Sequence, residues 1–443
     1  MEAPNYDIII VGGRPAGATL AARLGLQDMR VLLLERATFP SAPAASCPVI
    51  YPATMRLLDE IGADEGEYAR GTPRVRRLVT EVRDDLRATI RIPELCGRDY
   101  VYAIDRARFD AALWQTAARC PTVTARTGFA VTDLLWEGDR VVGVRGRPAG
   151  GADEQLTAGC VVGADGRFSL VARKAGAAAH DERSDLPTSI YYAYWKNAAP
   201  YDGAGPSVQT YGEGRGYGIG LLDSADGTVC AAIQGRADAL EPGDRKPADL
   251  YLRLLRAHPR IWRRLGQAEM VTEVRGMRNV GNLYRQAGGP GWALVGDALH
   301  QKDPIDGQGI YDAVYTAKAL ALALLAWRRG AVSWERAIES YEATVRAATY
   351  PMYVETLDRV RRELYTPRPD WAYRTWVRWL STDPEYQRRL GLLLGRGVDP
   401  AHWLPPAVFW RALGRGALAD LGRLFARHPR RDGMKPVSVG VSD

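Results

Sequence analysis

The chain opens on a buried-strand pattern that runs directly into a glycine-rich turn and a helix. Residues 6–11 read YDIIIV, a nearly continuous apolar run typical of a strand that is covered on both faces. The turn GGRPAG follows at residues 12–17, then a helical stretch to residue 26 and a second strand, residues 30–34. This order predicts a βαβ unit whose helix N-terminus binds the phosphates of a dinucleotide.

The glycine turn departs from the G-x-G-x-x-G fingerprint at one position, where Arg14 replaces the second glycine. Gly12 still suits the tight turn, and Gly17 still permits close packing of the helix on the strand. Glu35 ends the second strand and is placed to hold a ribose through its hydroxyls. We expect Arg14 to keep a negative φ, with its guanidinium near the diphosphate or the cofactor entrance. The similar GRPAGG at residues 146–151 precedes DEQLTAG rather than an apolar helix, which predicts a loop without a binding role.

Composition limits the partners of the chain. The net charge is +7 over 443 residues, and the basic residues are dispersed except for ARHPRR at residues 426–431, so we expect a solvated tail and no nucleic-acid partner. The longest apolar stretch, residues 319–327, is about half the length of a membrane span and predicts a buried helix. The N-terminus shows no signal peptide. The five cysteines are far apart, which favours a cytoplasmic protein without disulfides or a metal site.

Two further glycine-rich turns follow predicted strands. The first, GADG at residues 163–166, contains Asp165 and Gly166. The second is GDALHQKDPIDGQG at residues 296–309, where the strand WALVG places Asp297 at its carboxyl end, the usual position of ligands in open α/β sheets. Asp297 is suited to accept hydrogen bonds from a sugar-alcohol chain. Backbone N–H groups at Gly307 and Gly309 would approach a flat ring, and the dipole of the following helix favours negative charge there.

Together these three stretches resemble the flavoprotein monooxygenases of the para-hydroxybenzoate hydroxylase type, the group A aromatic hydroxylases, over about residues 5–350. The resemblance implies one bound FAD, with Glu35 on the adenosine ribose, Arg106 of IDRARFD at the phosphates, Asp165 near the pyrophosphate and NAD(P)H, and Asp297 on the ribityl chain. The cofactor-binding residues implied are Gly12, Gly13, Arg14, Ala16, Gly17, Glu35, Arg36, Arg106, Asp165, Gly166, Gly296, Asp297, Pro304, Gly307, Gln308 and Gly309.

The predicted fold class is α/β. A Rossmann-like FAD-binding domain of the glutathione reductase or para-hydroxybenzoate hydroxylase type would comprise residues 1–75, 99–186 and 276–345. A mainly antiparallel β-sheet substrate domain is inserted as residues 76–98 and 187–275. Residues 346–443 form a helical C-terminal region, rich in tryptophan. Its tryptophans are expected to pack helices, with a lid or dimer face as the alternative.

Candidate substrate contacts lie on the predicted sheet strands, although alternation alone does not say which face points inward. They are Tyr192, Tyr194, Gln209, Tyr211, Tyr217 and Gln234. His300 and Pro304 are the candidate catalytic residues, with a structural hydrogen bond as the alternative role of His300. Relatives carry an arginine in the loop after Glu35, where this chain has Ser46 and Cys47.

The reaction implied is hydroxylation, or another oxygenation, of an aromatic or polycyclic small molecule, with a secondary metabolite as the expected class of substrate. It would consume O2 and NADPH or NADH and proceed through a flavin C4a-hydroperoxide, in a monomer or homodimer. NAD(P)H would dock transiently, because no second complete fingerprint is present. An oxygen-independent reductase or dehydrogenase of the geranylgeranyl reductase type remains open, as does a non-catalytic FAD protein. A halogenase is disfavoured, since GYGIGLL at residues 216–222 replaces W-x-W-x-I-P.

Overall fold

The computed structural model describes residues 5–43, 47–82, 86–212, 214–366 and 369–425. The strands are β1 Tyr6–Val11, β2 Val31–Leu34, β3 Val49–Ile50, β4 Arg77–Val82, β5 Leu86–Arg91, β6 Tyr102–Ala103, β7 Val123–Arg126, β8 Phe129–Glu137, β9 Arg140–Pro148, β10 Glu154–Gly163, β11 Ala179–Lys196, β12 Val208–Gly212, β13 Tyr217–Asp223, β14 Val229–Arg236, β15 Glu269–Met270, β16 Arg275–Arg285, β17 Gly288–Gly289, β18 Trp292–Leu294 and β19 His300–Gln301.

The helices connect the strands in the first two thirds of the chain and dominate the last third. They are α1 Pro15–Gly25, α2 Pro52–Asp59, α3 Glu65–Tyr68, α4 Arg106–Ala118, α5 Leu170–Lys174, α6 Pro247–Arg256, α7 Pro259–Leu265, α8 Gly309–Arg328, α9 Trp334–Val360, α10 Asp370–Ser381, α11 Pro384–Leu394 and α12 Pro406–Phe425. Asp105 is the N-cap of α4, and its carboxylate accepts the N–H groups of Ala107 and Arg108.

The first sheet is the nucleotide-binding type of parallel sheet. Its order is β17-β18-β10-β1-β2-β7, and β1, β2, β7, β10 and β18 run parallel. β1 lies in the middle and is buried from Ile8 to Val11, because α1 and other helices cover the sheet. β8 and β9 form an antiparallel hairpin that extends from β10. The first sheet therefore places the carboxyl ends of β1, β10 and β18 at one edge.

The second sheet is mainly antiparallel, as expected. Its order is β19-β16-β11-β14-β13-β12-β4-β5, with β15 added on β11 and one parallel pair, β12 with β4. One face packs on α6 and α7 in its own apolar cluster. The opposite face, called the inner face below, packs on β3, β6 and the residues around Val49 and Tyr51. The inner face is thus the one that meets the first sheet and the helices around it, called the nucleotide-binding half below.

Two details differ from the sequence-based expectation. β11 begins at Ala179 and pairs with β16, so residues 179–186 and 276–285 belong to the second sheet rather than to the first domain. Gly146 to Pro148 end strand β9, and only the turn after Pro148 is a loop, because β9 continues its pairing with β8 and β10. The basic stretch 426–431 lies outside the described residues.

Helix α8 is long and apolar enough, by length and composition, to cross a membrane. In the fold it packs beside α1 and α9, and Val314, Ala317 and Leu320 are fully buried. This is the packing of a core helix in the nucleotide-binding half. The remaining helices of the last third, α10 to α12, pack on one another and against β5.

Candidate functional site

The turns after β1 and β10 touch through their backbones. Gly12 has a φ of +106°, and a Cβ on it would lie 2.4 Å from the carbonyl oxygen of Ala164. A Cβ on Gly17 would lie 1.8 Å from the carbonyl oxygen of Gly12. Glycine is therefore required at both positions, one for the tight turn and one for the close approach of α1. The first two glycine-rich stretches are adjacent in space.

The N-terminus of α1 is left open by this turn. Its N-cap is Arg14, with φ −85° and without a side-chain cap among the described residues, and Pro15 follows at the first helical position. Uncapped N–H groups at a helix start attract anions. The Glu35 carboxylate, 5% exposed, accepts the N–H groups of Gly13 at 2.8 Å and Ala37 at 3.0 Å. Its predicted contact with a ribose remains a prediction, as does the role of the exposed Arg36.

The side chain of Arg14 packs against the protein and does not extend into solvent. Its guanidinium lies 2.6 Å from Asp110 of α4, which is fully buried, and donates to Ser41. The same carboxylate accepts from Arg106, whose side chain is only 10% exposed. One buried carboxylate therefore holds the two arginines predicted for the phosphate region next to each other. The i,i+4 spacing of Arg106 and Asp110 was the available signal in the sequence, and nothing there indicated the pairing with Arg14.

The carboxylate of the GADG turn binds groups that follow it directly in the chain. Asp165 accepts hydrogen bonds from the Ser169 hydroxyl and the Leu170 N–H, and burial raises the pKa of this carboxyl. The side chain is therefore occupied in shaping its own turn, and its predicted position near the pyrophosphate has no further support here. Gly166 has a φ of +80°, and no atom of the described residues lies within 4 Å of a Cβ built on it.

The third stretch begins against α1. A Cβ on Gly296, φ +62°, would lie 2.8 Å from the Cβ of Ala16, so this turn joins the other two. The Asp297 side chain is 37% exposed and pairs with Arg167, its Oδ2 lying 3.1 Å from the Nε. It is available to a ligand from the open side. The structure thus brings all three stretches to one edge of the first sheet.

The end of this stretch forms a second open helix start. Pro304 begins a 3-10 turn that ends at Gly307, φ +65°, and α8 follows with Gln308 as an N-cap that has no side-chain cap in the described ranges. No described atom lies within 4 Å of a Cβ on Gly309, so its backbone faces open space. A Cβ on Gly307 would lie 3.1 Å from the Sγ of Cys47.

Two predicted residues of this stretch face the protein interior. The side-chain amide of Gln308 donates to the carbonyl oxygens of Leu393 and Leu394 in α11, at 3.3 and 2.9 Å. The His300 ring is 1% exposed and stacks on Tyr284 at 4.2 Å between centroids, and burial lowers its pKa. Neither ring nitrogen has a hydrogen-bond partner among the described residues. This environment is that of a packed neutral histidine and does not support an acid–base role.

The second sheet divides the predicted substrate residues between its faces. Tyr192, Tyr194 and Gln234 are on the inner face, and the Tyr192 hydroxyl donates to the carbonyl oxygen of Pro43. Pairing across β11, β14, β13 and β12 puts Gln209, Tyr211 and Tyr217 on the other face. There Gln209 binds Arg264, Tyr211 binds Gln209 and Tyr217 contacts His258. Only the first three residues meet the nucleotide-binding half.

The inner face contains a strip of small residues beside these tyrosines. Gly218 and Gly220 of β13 pair with Gln234 and Ala232 of β14, so their missing side chains leave space above the sheet. A Cβ on Gly220 would lie 3.4 Å from Leu222, an ordinary contact distance. At the end of this strip, Gln234 donates to Asp303 of the third stretch. The strip therefore runs up to the loop that precedes α8.

Sequence reasoning missed several residues of this region. Asp303 is buried, accepts from Thr188 and Gln234 of the second sheet, and has a pKa that burial raises. Lys302 pairs with Asp312 of α8. Lys302 and Asp303 both lie in the third stretch. Two adjacent charged residues inside an otherwise buried motif were the feature of the sequence from which they could have been predicted. Ser46 lies outside the described residues, and its neighbour Cys47, with a pKa raised by burial, faces Gly307.

The groups at this edge fit FAD. Two uncapped helix starts, α1 and α8, offer N–H donors for a diphosphate and for the oxygen-bearing edge of a flavin. Two carboxylates, Glu35 and Asp297, are placed to accept hydroxyl hydrogen bonds, one near each end of the edge. Among the described residues no group of three or more His, Cys, Asp or Glu side chains is suited to a metal ion, and the five cysteines, all of them described, form no disulfide.

Known proteins with related sequences carry out several flavin reactions. The chain is 26% identical to tryptophan 2-halogenase of Chondromyces crocatus, over 77% of this chain and 65% of that protein. It is 24% identical to digeranylgeranylglycerophospholipid reductase of Methanospirillum hungatei, over 71% and 74%. It is 32% identical to 6-methylpretetramide 4-monooxygenase of Streptomyces rimosus, over 40% and 42%.

The fold is shared with solved flavoproteins. The flavin-dependent brominase Bmp2 superposes with a TM-score of 0.76 at 20% identity, covering 95% of this chain and 99% of the brominase. This likeness concerns the fold. Residues 5–353 match the family described as FAD binding domain, which is most of the chain. With the convergence of the three glycine-rich stretches, the match shows that this protein is an FAD-dependent oxidoreductase of the FAD binding domain family, in the aromatic hydroxylase-like superfamily.

Proposed function

We propose that the protein is a monooxygenase that inserts oxygen into a flat aromatic or polycyclic small molecule, with NADPH or NADH as reductant. The observation that carries the proposal is the inner-face strip. Gly218 and Gly220 leave the inner face without side chains two strands from Tyr192, and the strip ends at Gln234 and Asp303, next to the open start of α8. A planar ring system would lie on small residues and pack against tyrosine rings.

The cofactor-binding residues then follow in order along one edge. We propose that Glu35 holds the adenosine ribose, that the start of α1 with Arg14 and Arg106 holds the diphosphate, and that Asp297 holds the ribityl chain. The flavin pyrimidine edge would lie beside the backbone of Gly307 and at the N–H group of Gly309, because the N–H of Gly307 donates to the carbonyl oxygen of Pro304. Bound FAD supplies the redox chemistry and the activation of oxygen. The α8 dipole stabilises negative charge at that edge.

The chain's own contribution to the reaction is positioning and exclusion of water. Tyr192 and Gln234 are fixed by hydrogen bonds to Pro43 and Asp303, so the walls of the strip are preorganised. Pro304 fixes the turn that brings Gly307 to Cys47. We assign no proton transfer to His300, since its ring is enclosed by Tyr284 and Tyr353.

A reductase that acts without inserting oxygen is the second candidate, because relatives of both kinds share the family. Halogenation is a third, named by relatives with the same fold. The stretch GYGIGLL that replaces W-x-W-x-I-P lies largely in β13, on the strip itself, so the chain presents glycine where tryptophan would narrow the space. This observation favours a wide flat substrate over the halogenase arrangement.

The source of the inserted atom separates the three reactions. We expect purified holoenzyme with NAD(P)H and 18O2 to convert an accepted aromatic compound to a product carrying one 18O atom, with the second atom released in water. Mass spectrometry of the product is the measurement, repeated with added chloride or bromide. Turnover that continues without oxygen and with an artificial electron acceptor would show a reductase or dehydrogenase. Halide incorporation would show a halogenase.

Asp297→Ala tests the placement of the ribityl chain. We expect the dissociation constant of FAD to rise about 10- to 100-fold, because a hydrogen bond to a charged group contributes about 1.5–3 kcal/mol. Quenching of flavin fluorescence gives the constant. Asp133→Ala, which removes a carboxylate of similar exposure from a pair with Lys174, is the matched control. Full retention of FAD by Asp297→Ala contradicts the placement.

Asp110→Ala tests the arginine pair at the diphosphate. Removal of this carboxylate deprives two largely buried guanidinium groups of the charge that they share, so we expect the free energy of unfolding to fall by about 3–5 kcal/mol. Chemical denaturation of the FAD-free protein is the measurement. Asp99→Ala breaks an exposed pair with Arg76 and should cost under about 1 kcal/mol. Equal stability of the two variants would show that Asp110 does not hold the arginines.

Gly220→Val tests the strip. The new side chain would stand on the inner face, and we expect the affinity for an accepted aromatic substrate to fall at least about tenfold while FAD content stays unchanged. Ile219→Val, which alters the opposite face of the same strand, is the control. Substrate binding is followed by the change in the flavin absorbance spectrum. Unaltered binding in Gly220→Val would place the substrate elsewhere.

A further inference from the structure

A buried charge cluster lies beneath the first turn of α8. The carboxylate of Asp312 lies 2.7 Å from the Nζ of Lys302 and 2.6 Å from the guanidinium of Arg396. All three side chains are at most 6% exposed. Two cations thus share one carboxylate inside the protein, directly under the helix start that faces the proposed flavin edge.

Arg396 comes from a part of the chain beyond the family match, which ends at residue 353. It follows α11 with a φ of +61°, a conformation uncommon for a residue with a side chain. Its guanidinium also lies over the ring of Tyr311, 4.9 Å from the centroid. The ion pair and the ring contact hold the end of α11 in this conformation. The last helical region therefore reaches the core of the nucleotide-binding half.

A second link joins the same two segments. Gln308 donates to the carbonyl oxygens of Leu393 and Leu394 at the end of α11, and its Oε1 lies 3.4 Å from the Nζ of Lys302. Gln308 is the N-cap residue of α8. The end of α11 is therefore attached on both sides of Gly309, by Gln308 before it and by Asp312 after it.

The cluster carries a net positive charge. Burial opposes ionisation of Asp312, but Lys302 and Arg396 outweigh it and hold the pKa of that carboxyl well below its usual range. Burial, with Arg396 nearby, lowers the pKa of Lys302 to about 8. The neighbouring Asp306 is paired with Arg359. An arginine keeps its charge under all ordinary conditions, so Arg396 adds a fixed positive charge to the positive end of the α8 dipole.

We propose that Arg396 is a positioning residue of the FAD site. Through Asp312 it fixes the start of α8, and its charge favours the reduced, more negative form of the flavin. The C-terminal helical region is then a structural part of the cofactor site, and not an appended lid. The proposal rests on the placement of the flavin edge at Gly307 and Gly309.

The test compares Arg396→Met with Arg396→Lys in the full-length protein. For Arg396→Met we expect the FAD dissociation constant to rise at least tenfold. The preference for reduced over oxidised flavin should fall about tenfold, which for a two-electron couple is about 30 mV toward negative potential. Arg396→Lys keeps the charge but loses the planar fork, so the potential should return while the affinity recovers only in part. FAD titration and a dye-coupled reductive titration give the two quantities.

Arg388→Met is the matched control, because Arg388 lies on α11 in an exposed pair with Glu385 and should change neither quantity. Gly309→Val separates this proposal from the placement on which it rests. If Gly309→Val loses FAD while Arg396→Met keeps wild-type affinity and potential, the role of Arg396 is refuted and the placement stands. If neither variant affects FAD, the placement is wrong. Should Arg396→Met fail to fold, Arg396→Lys decides: unchanged affinity overturns the proposal, and reduced affinity at unchanged potential supports it.

Discussion

The turn after β1 packs its backbone directly against the turn after β10, and the rest of the cofactor site is arranged around that contact. Gly12 and Gly17 make it possible, since a side-chain carbon at either position would overlap a carbonyl oxygen. The contact directs the start of α1 toward the open edge of the sheet. The Gly296 turn then packs on Ala16 of the same helix. Three segments distant in sequence thus surround one helix start.

Two buried carboxylates extend this arrangement by joining remote segments. Asp110 holds Arg14 and Arg106, and Asp312 holds Lys302 with Arg396. In each case one carboxylate near the start of a helix binds two cations, of which one comes from far along the chain. A buried charge is costly without a partner, so each cluster forms as a unit or not at all. This gives the site rigidity that neighbouring glycine turns would otherwise lack.

Local patterns were sufficient for the elements that position the site. The strand at β1 and the helix after the glycine turn were predicted close to their observed bounds, and a helix was predicted after the third stretch. Which face of the second sheet points inward was not predicted, because alternation gives two equivalent faces. Only the pairing of β11, β14, β13 and β12 shows that Tyr211 and Tyr192 lie on different faces. The partners Asp110 and Arg396 were missed for a related reason. The Arg14–Asp110 and Asp312–Arg396 ion pairs span 96 and 84 residues, and a pair at such a separation leaves no periodic trace in the sequence.

The path of the chain between the two sheets affects how ligands reach the space between the open edge of the first sheet and the inner-face strip. β4 and β5, then β11 to β16, then β19 belong to the second sheet. Of the strands between them, β6 pairs with β3 and the others belong to the first sheet. The chain therefore returns from one sheet to the other repeatedly. A hinge would have to bend several peptide connections in concert, and α11 adds a further attachment at Gln308. Opening by rotation of whole domains is disfavoured, so ligand traffic must depend on side chains and surface loops at the rim.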